Sequence, residues 1–177
     1  ESSNVYDETC DIALCNSKKT MLTEAEWIYG RSADSNSQYY GVKKGTTYYL
    51  KVTGLGGKGK LKYTQTKISE KSGSAKKKAV TVKAKKLVKG TIVAGEKKAD
   101  WYKIKLTKKK KISFYIDGKS QGQLKMTVYD KSGKKLINSI VVYGSSAYDL
   151  VDYGKYSKGT YYVKIERGSK KSNGYYT

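Results

Sequence analysis

The chain has 177 residues, with 37 Lys and Arg against 15 Asp and Glu, which gives a formal net charge of +22. It lacks histidine, the commonest general base and metal ligand, and has only two arginines, Arg31 and Arg167. Because lysine is a hydrated point charge rather than a planar fork, this composition argues against specific nucleic-acid recognition and favours loose attraction to polyanions. No apolar run approaches the ~20 residues that a transmembrane segment needs.

The N-terminal pattern predicts a strand at Asn4–Asp7, a polar turn that contains Cys10, and an apolar stretch at 12–14. Cys10 and Cys15 leave two alternatives open. If the chain turns between them, they can form a disulfide. On one extended strand they would lie about 16 Å apart on opposite faces, beyond the ~7 Å limit for a bridge, and would be two thiols.

Residues 21–29 combine helix formers with Trp-Ile-Tyr, which favours a strand, and we predict a strand over Glu26–Gly30, followed by a polar loop. A Lys-Lys-Gly turn at 43–45 leads into a strand at Thr46–Thr53, and an alternating strand follows at Leu61–Ile68. Residues 69–78 contain Ser, Gly and Lys without an apolar anchor, which predicts a solvated linker.

The second half of the chain has the clearest strand pattern, with alternating polar and apolar residues between short turns. Strands are predicted at 79–84, 87–94, 101–106, 112–116, 123–130, 136–143, 148–151, 156–165 and from 174. Short strands at this spacing are typical of all-β folds, and we predict an antiparallel β-sandwich that is jelly-roll-like.

An internal repeat divides the chain into two tandem units. The phrase Lys-Gly-Thr-Thr-Tyr-Tyr-Leu-Lys-Val at 44–52 returns as Lys-Gly-Thr-Tyr-Tyr-Val-Lys-Ile at 158–165, and we align Val5-Tyr-Asp with Val128-Tyr-Asp. The predicted organisation is a partial unit over 1–68 that is the C-terminal half of the repeat, a linker over 69–78 and a complete unit over 79–177. Nothing in the first unit matches 87–122, so it either starts mid-domain or borrows strands, for example in a strand-exchanged oligomer.

The motifs of the second unit resemble the bacterial pre-peptidase C-terminal (PPC) domain family. They are Asp100-Trp-Tyr-Lys-Ile-Lys-Leu106, Val128-Tyr-Asp-Lys-Ser-Gly133 and Gly159-Thr-Tyr-Tyr-Val-Lys-Ile165, with Gly174-Tyr-Tyr176 at the end. The resemblance covers about 85–177 well and 5–68 partially. It implies a β-sandwich attached to secreted enzymes and surface proteins.

Some members of that family bind calcium through an acidic segment and the Asp of the Asp-aromatic-Tyr motif. Here only Asp100 matches, and Glu96 is the single acid near it in a Lys-rich segment. Hard cations need several oxygen ligands, so we predict no metal and no cofactor, and interpret Asp100 as a turn residue that caps the strand entry.

The sequence favours a non-catalytic protein. A Ser-Lys pair remains formally available, but no motif singles one out. The carboxylate pairs Glu24 with Glu26 and Asp149 with Asp152 lack the surrounding residues that glycoside hydrolysis requires.

Adjacent tyrosines on strands place one ring in the core and the other outside. We predict that the exposed rings, with neighbouring lysines, form a contact face, and the candidates are Tyr49, Tyr162, Tyr176, Lys51 and Lys164. The expected partners are cell-wall or host polyanions, glycans or an extracellular protein, and the expected location is secreted or on the surface of a bacterium, which we expect to be Gram-positive. The start at Glu1-Ser-Ser fits a processed product. Alternatives are a structural spacer without a ligand and a fragment of a secreted hydrolase.

Overall fold

The computed structural model describes residues 9–29, 37–54, 60–144, 147–150 and 155–177. Over these residues the fold is all-β, as predicted, with one short 3-10 helix at Lys76–Lys78. The strands are β1 (Thr9–Cys15), β2 (Glu26–Tyr29), β3 (Tyr49–Thr53), β4 (Val80–Thr81), β5 (Gly90–Ile92), β6 (Asp100–Leu106), β7 (Lys110–Lys111), β8 (Phe114–Gln121), β9 (Gln123–Tyr129), β10 (Lys135–Tyr143), β11 (Ala147–Leu150), β12 (Lys155–Tyr156), β13 (Gly159–Arg167) and β14 (Asn173–Tyr176). No described helix has the length and apolar character needed to cross a membrane.

The C-terminal part of the chain forms the two layers of a sandwich. One sheet has the strand order β10-β9-β13-β6-β4 and the other β11-β8-β14-β5, and every pair except β4–β6 is antiparallel. Alternate residues of each strand point between the layers, where they form one apolar core. Its most deeply buried members include Ile116, Leu124, Val128, Val142 and Tyr176.

The N-terminal part forms a separate three-stranded antiparallel sheet, β2-β1-β3. Its central strand runs without a break from Thr9 to Cys15, so the predicted turn at Cys10 is wrong. Of the two alternatives for Cys10 and Cys15, the disulfide does not form: both are free thiols, because an odd spacing on one extended strand directs them to opposite faces. The predicted strand over 61–68 does not form, and the strand predicted at 4–7 lies outside the described residues.

This small sheet matches three strands of the large one in register. In the small sheet Leu14 pairs with Leu50 and Ile12 with Val52, just as Val128 pairs with Val163 and Met126 with Ile165. The outer strands also correspond, since Ile-Tyr-Gly at 28–30 matches Val-Tyr-Gly at 142–144. The structural register therefore aligns β1 with β9, β2 with β10 and β3 with β13. Our alignment of Val5 with Val128 is wrong, because it shifts β1 away from β9.

The turn after β1 confirms this register. Asn16 Oδ1 accepts hydrogen bonds from the backbone of Lys18 and Thr20, and Asp130 Oδ1 accepts them from Gly133 and Lys134 in the equivalent turn. The position that Gly133 occupies with φ 99° is filled by Lys19 with φ 61°. A lysine there carries the strain of a left-handed backbone.

Lys19→Gly should therefore stabilise the protein by about 0.5 kcal/mol, since relief of the left-handed strain exceeds the backbone entropy that glycine loses on folding. Urea unfolding measures the difference. Lys18→Gly, at the neighbouring turn position, is the control and should be neutral or destabilising. A destabilised Lys19→Gly variant would contradict the prediction.

Several polar contacts join the N-terminal part to the sandwich. Gly41 donates its N–H to Asn173 Oδ1 (2.8 Å) and accepts from the Ala94 N–H (2.9 Å), while Lys171 Nζ donates to the Met21 carbonyl oxygen (3.1 Å). The predicted linker is also docked rather than solvated throughout, since Gly73 forms a β-bridge with Trp101. The Gly73 N–H donates to the Trp101 carbonyl oxygen, and the Gly73 carbonyl oxygen accepts from the Trp101 N–H. The composition of a Lys-rich stretch does not predict these two bonds.

Candidate contact face of the large sheet

One face of the large sheet collects aromatic rings and lysines from three adjacent strands. The register sets Lys164 opposite Trp101 and Tyr162 opposite both Lys103 and Tyr129. Directly opposed residues point to the same side of a sheet, so these five side chains share the outer face. Their neighbours in sequence, such as Tyr102 and Val163, point inward and are buried.

We call Trp101, Tyr129 and Tyr162, with Lys76 and Lys164, the aromatic–lysine face. The Trp101 and Tyr129 rings are tilted by 32° with centroids 5.7 Å apart, so they form a nearly continuous apolar platform. Lys164 Nζ lies 5.7 Å from the Trp101 ring centroid and Lys76 Nζ lies 4.8 Å from the Tyr162 centroid. Both ammonium groups lie over a ring within cation–π range.

A shallow cleft of about 620 Å³ adjoins the face, and Trp101 forms one of its walls. Four lysines line it, Lys76, Lys97, Lys98 and Lys164, against one carboxylate, Glu96. Glu96 pairs with Lys98 Nζ at 3.4 Å, and Lys164 pairs with Glu166 at 2.6 Å outside the cleft lining. The cleft therefore retains a positive excess, which attracts anions.

A buried hydrogen-bond chain lies behind the face, on the inner side of β6 and β14. Tyr102 Oη contacts Tyr176 Oη at 2.8 Å, and Tyr176 donates to Asp100 Oδ2 at 2.6 Å. Ser72 donates to Asp100 Oδ1 (2.7 Å) and lies 2.5 Å from Glu70 Oε1. The chain thus ties the segment 70–73 to β6, and that segment continues into the residues that wall the cleft.

Burial is the largest cause of the pKa shifts in this hydrogen-bond chain. It raises the pKa of Asp100 from 3.8 to about 6, and the nearby Glu70 carboxylate adds to the rise, while the hydrogen bonds from Tyr176 and Ser72 lower the pKa. Burial likewise raises the pKa of Tyr176 far above its ordinary value, so this hydroxyl stays protonated as a donor.

The structure brings together two of the five predicted contact residues, Tyr162 and Lys164. Tyr49 and Lys51 occupy the corresponding positions of β3, in the small sheet. The prediction for Tyr176 is wrong, because its side chain is 0% exposed. Glycine at 90 leaves the space that its ring fills: a Cβ there would come within 2.2 Å of the Tyr176 hydroxyl. Of the 175–176 pair it is Tyr175 that is partly exposed.

Asp100 does not cap the strand entry, which corrects its predicted role. It is the first residue of β6, and its carboxylate is turned into the interior, 7% exposed. Glu96 instead pairs with Lys43 and Lys98 at the surface. Across the described ranges, no three His, Cys, Asp or Glu residues are grouped so that they could hold a metal ion.

Glu24 and Glu26 line a second, smaller cleft of about 290 Å³ with Gln121, Gln123 and Lys171. The lysine in this cleft donates to the carbonyl oxygens of Met21 (3.1 Å) and Thr23 (3.4 Å). Lys171 therefore joins the small sheet to the sandwich. Asp152, of the other carboxylate pair, lies outside the described residues.

The sequence did not reveal Trp101, Tyr129 and Lys76 as parts of one face. Strict alternation over 101–106 puts Trp101 and Lys103 on the same side of β6, but their neighbours depend on the register between strands. Lys76 comes from the predicted linker, 86 residues before Tyr162 in the chain. No periodicity connects such distant positions.

Comparisons with known proteins do not assign the chain to a family. A scan of the chain against protein-family models gives no match, and a search of curated proteins also gives none.

Proposed function

We propose that the protein is a non-catalytic binding module of a secreted or surface-attached bacterial protein, and that its aromatic–lysine face binds anionic glycans. The observation that carries the proposal is the tilted Trp101–Tyr129 pair, with Lys164 Nζ over the Trp101 ring and Lys76 Nζ over the neighbouring Tyr162 ring. The flat rings offer an apolar surface to the C–H face of a sugar, and the lysines attract its sulfate, phosphate or carboxylate groups. The resemblance of the strand motifs to PPC domains supports an accessory role in two tandem units of that type.

The cations of the aromatic–lysine face are lysines rather than arginines, and this limits the class of ligand that the face can bind. A hydrated ammonium attracts anions without a fixed bidentate geometry, so selectivity must come mainly from the rings. The ligand class is therefore a polyanion that also has stackable sugar rings, such as a sulfated glycan or a teichoic acid with sugar units. A polyanion without rings should bind more weakly and lose its affinity more steeply with salt.

Trp101→Ala should weaken binding of a sulfated hexasaccharide about tenfold, because a stacked indole contributes about 1.4 kcal/mol. Titration calorimetry or fluorescence measures the affinity at moderate salt. Trp27→Ala is a matched control, since Trp27 lies on β2 of the small sheet and is 64% exposed. Inorganic polyphosphate is the charge-only probe, and its affinity should change little in either variant.

Two outcomes would contradict the proposal. Equal affinity of Trp101→Ala and the unmodified chain for the hexasaccharide would mean that charge alone binds the glycan. No binding of the hexasaccharide at moderate salt would favour the alternative of a structural spacer. Lys164→Gln and Lys76→Gln should each weaken binding less than Trp101→Ala does, because a single exposed charge contributes little.

A further inference from the structure

The strand β3 is uncovered on both of its faces. All five of its residues, Tyr49–Thr53, are exposed, and among the described residues it pairs only with β1. Leu50 and Val52 are 37% and 42% exposed, whereas the equivalent Val163 and Ile165 are 6% and 4% exposed. Apolar side chains that the large sheet buries are thus open to solvent in the small one.

The large sheet shows what covers the equivalent edge. There β13 is flanked by β9 on one side and by the antiparallel strand β6 on the other. Tyr102 of β6 lies opposite Val163 and points into the core, and Trp101 lies opposite Lys164 on the outer face. The edge of β3 therefore has the register to receive an antiparallel strand with apolar residues opposite Leu50 and Val52 and polar residues opposite Tyr49 and Lys51.

The lysines at the edge of β3 indicate what kind of strand can pair with it. Lys51 lies on the outer face of β3, and Lys43 and Lys44 occupy the turn before it, held near the strand by the hydrogen bond from the Lys43 N–H to Tyr48 Oη (3.1 Å). A second copy fits poorly, because the antiparallel register that covers both Leu50 and Val52 opposes Lys51 to its counterpart, and the pairing brings together two chains of charge +22. Acidic residues are the complement of this edge.

We propose that the open edge of β3 binds an extended acidic segment of another protein by antiparallel strand addition. The segment alternates apolar residues, which cover Leu50 and Val52, with Asp or Glu, which face Lys51. Backbone hydrogen bonds provide the affinity, and the alternation provides the register. This surface is separate from the aromatic–lysine face and its occupant is a polypeptide rather than a glycan.

The test uses a capped nine-residue peptide that alternates Glu and Val, labelled for fluorescence anisotropy, with the full 177-residue chain. A second peptide with the same composition, but with its valines grouped at one end, has the same charge without the alternation. The alternating peptide should bind at least about tenfold more tightly, because only it can pair its backbone and cover the apolar face together.

Variants of β3 locate the site. Leu50→Ser and Val52→Ser change exposed positions without adding a charge and should each weaken binding of the alternating peptide about tenfold. Lys51→Glu should weaken it similarly and should tighten binding of a peptide that alternates Lys and Val. Each variant's unfolding midpoint is measured beside the unmodified chain, and a variant that unfolds early is replaced by Leu50→Gln or Val52→Gln.

Three outcomes would overturn the proposal: equal binding of the two acidic peptides, unchanged binding in the β3 variants, and sedimentation as a dimer that the β3 variants dissociate. The first would mean that charge alone attracts the peptide. The second would place the peptide elsewhere, and the third would make a second copy the occupant. Loss of glycan binding in Trp101→Ala would not affect any of these results.

Discussion

Tyr176→Phe is expected to lower the free energy of unfolding by about 3 kcal/mol at neutral pH, since it removes the hydroxyl at the centre of a buried hydrogen-bond chain. That hydroxyl donates to Asp100 Oδ2 at 2.6 Å and contacts Tyr102 Oη at 2.8 Å. Because Tyr176 gives its proton to Asp100, Tyr102 is the donor in the second bond. Without the hydroxyl, the carboxylate oxygen and the Tyr102 hydroxyl lose these partners in an apolar environment, and their desolvation is no longer compensated.

Urea unfolding with linear extrapolation gives the difference in unfolding free energy. The slope of this free energy against urea concentration should not change. Tyr175→Phe is the matched control, because it removes the hydroxyl of the adjacent, partly exposed ring on the same strand; it should cost at most about 0.5 kcal/mol. Tyr102→Phe should cost less than Tyr176→Phe, about 1 kcal/mol, since it leaves the bond to Asp100 intact. A loss below about 1 kcal/mol in Tyr176→Phe would show that water reaches the carboxylate.

The all-β class and most of the strands of the large sheet could be predicted from the sequence. Strict alternation in Trp101–Leu106 and in 123–129 identifies half-buried strands, because one side of each must face a core. The prediction of secondary structure fails where pairing with neighbouring strands outweighs the local residue pattern. Cys10 lies in a polar stretch that resembles a turn, yet pairing with both β2 and β3 keeps its strand extended.

The candidate site was only half predictable for a similar reason. Tyr162 and Lys164 follow from alternation within one strand, but Trp101 and Tyr129 join them through the register of three strands that are distant in sequence. Tyr176 was assigned to the wrong side because a pair of adjacent tyrosines does not indicate which ring is inside. That choice depends on Gly90, whose missing side chain leaves room for the ring.

The buried hydrogen-bond chain and the aromatic–lysine face share one sequence motif. Asp100 begins the Asp-Trp-Tyr motif of β6, so the same three residues supply a buried carboxylate, the partly buried indole of the platform and a buried phenol. Ser72 and the Gly73 bridge to Trp101 fix the preceding segment against this strand. The geometry of the aromatic–lysine face therefore depends on polar contacts made on the opposite side of the sheet.

Asp100 should make the protein less stable as the pH rises from 4 to 7. Burial raises the pKa of Asp100 in the folded protein to about 6, above its ordinary value of 3.8. Between these values the folded state binds more protons than the unfolded state, so its free energy of unfolding falls as the pH increases. The stabilisation is fully present below about pH 4 and is lost as the pH passes 6, and a difference of this size corresponds to about 3 kcal/mol.

Asp100→Asn isolates this contribution from that of the other carboxylates. Asparagine can accept from Tyr176 through its oxygen and donate to Ser72 through its nitrogen, so it imitates the protonated acid. The variant and the unmodified chain should have similar unfolding free energies at pH 4, and the variant should be more stable by about 3 kcal/mol at pH 7.5. Parallel stability curves across this range would show that Asp100 titrates alike in the folded and unfolded states. A gap that opens as predicted shows that neutralising Asp100 stabilises the folded protein, in which Ser72 joins the preceding segment to β6.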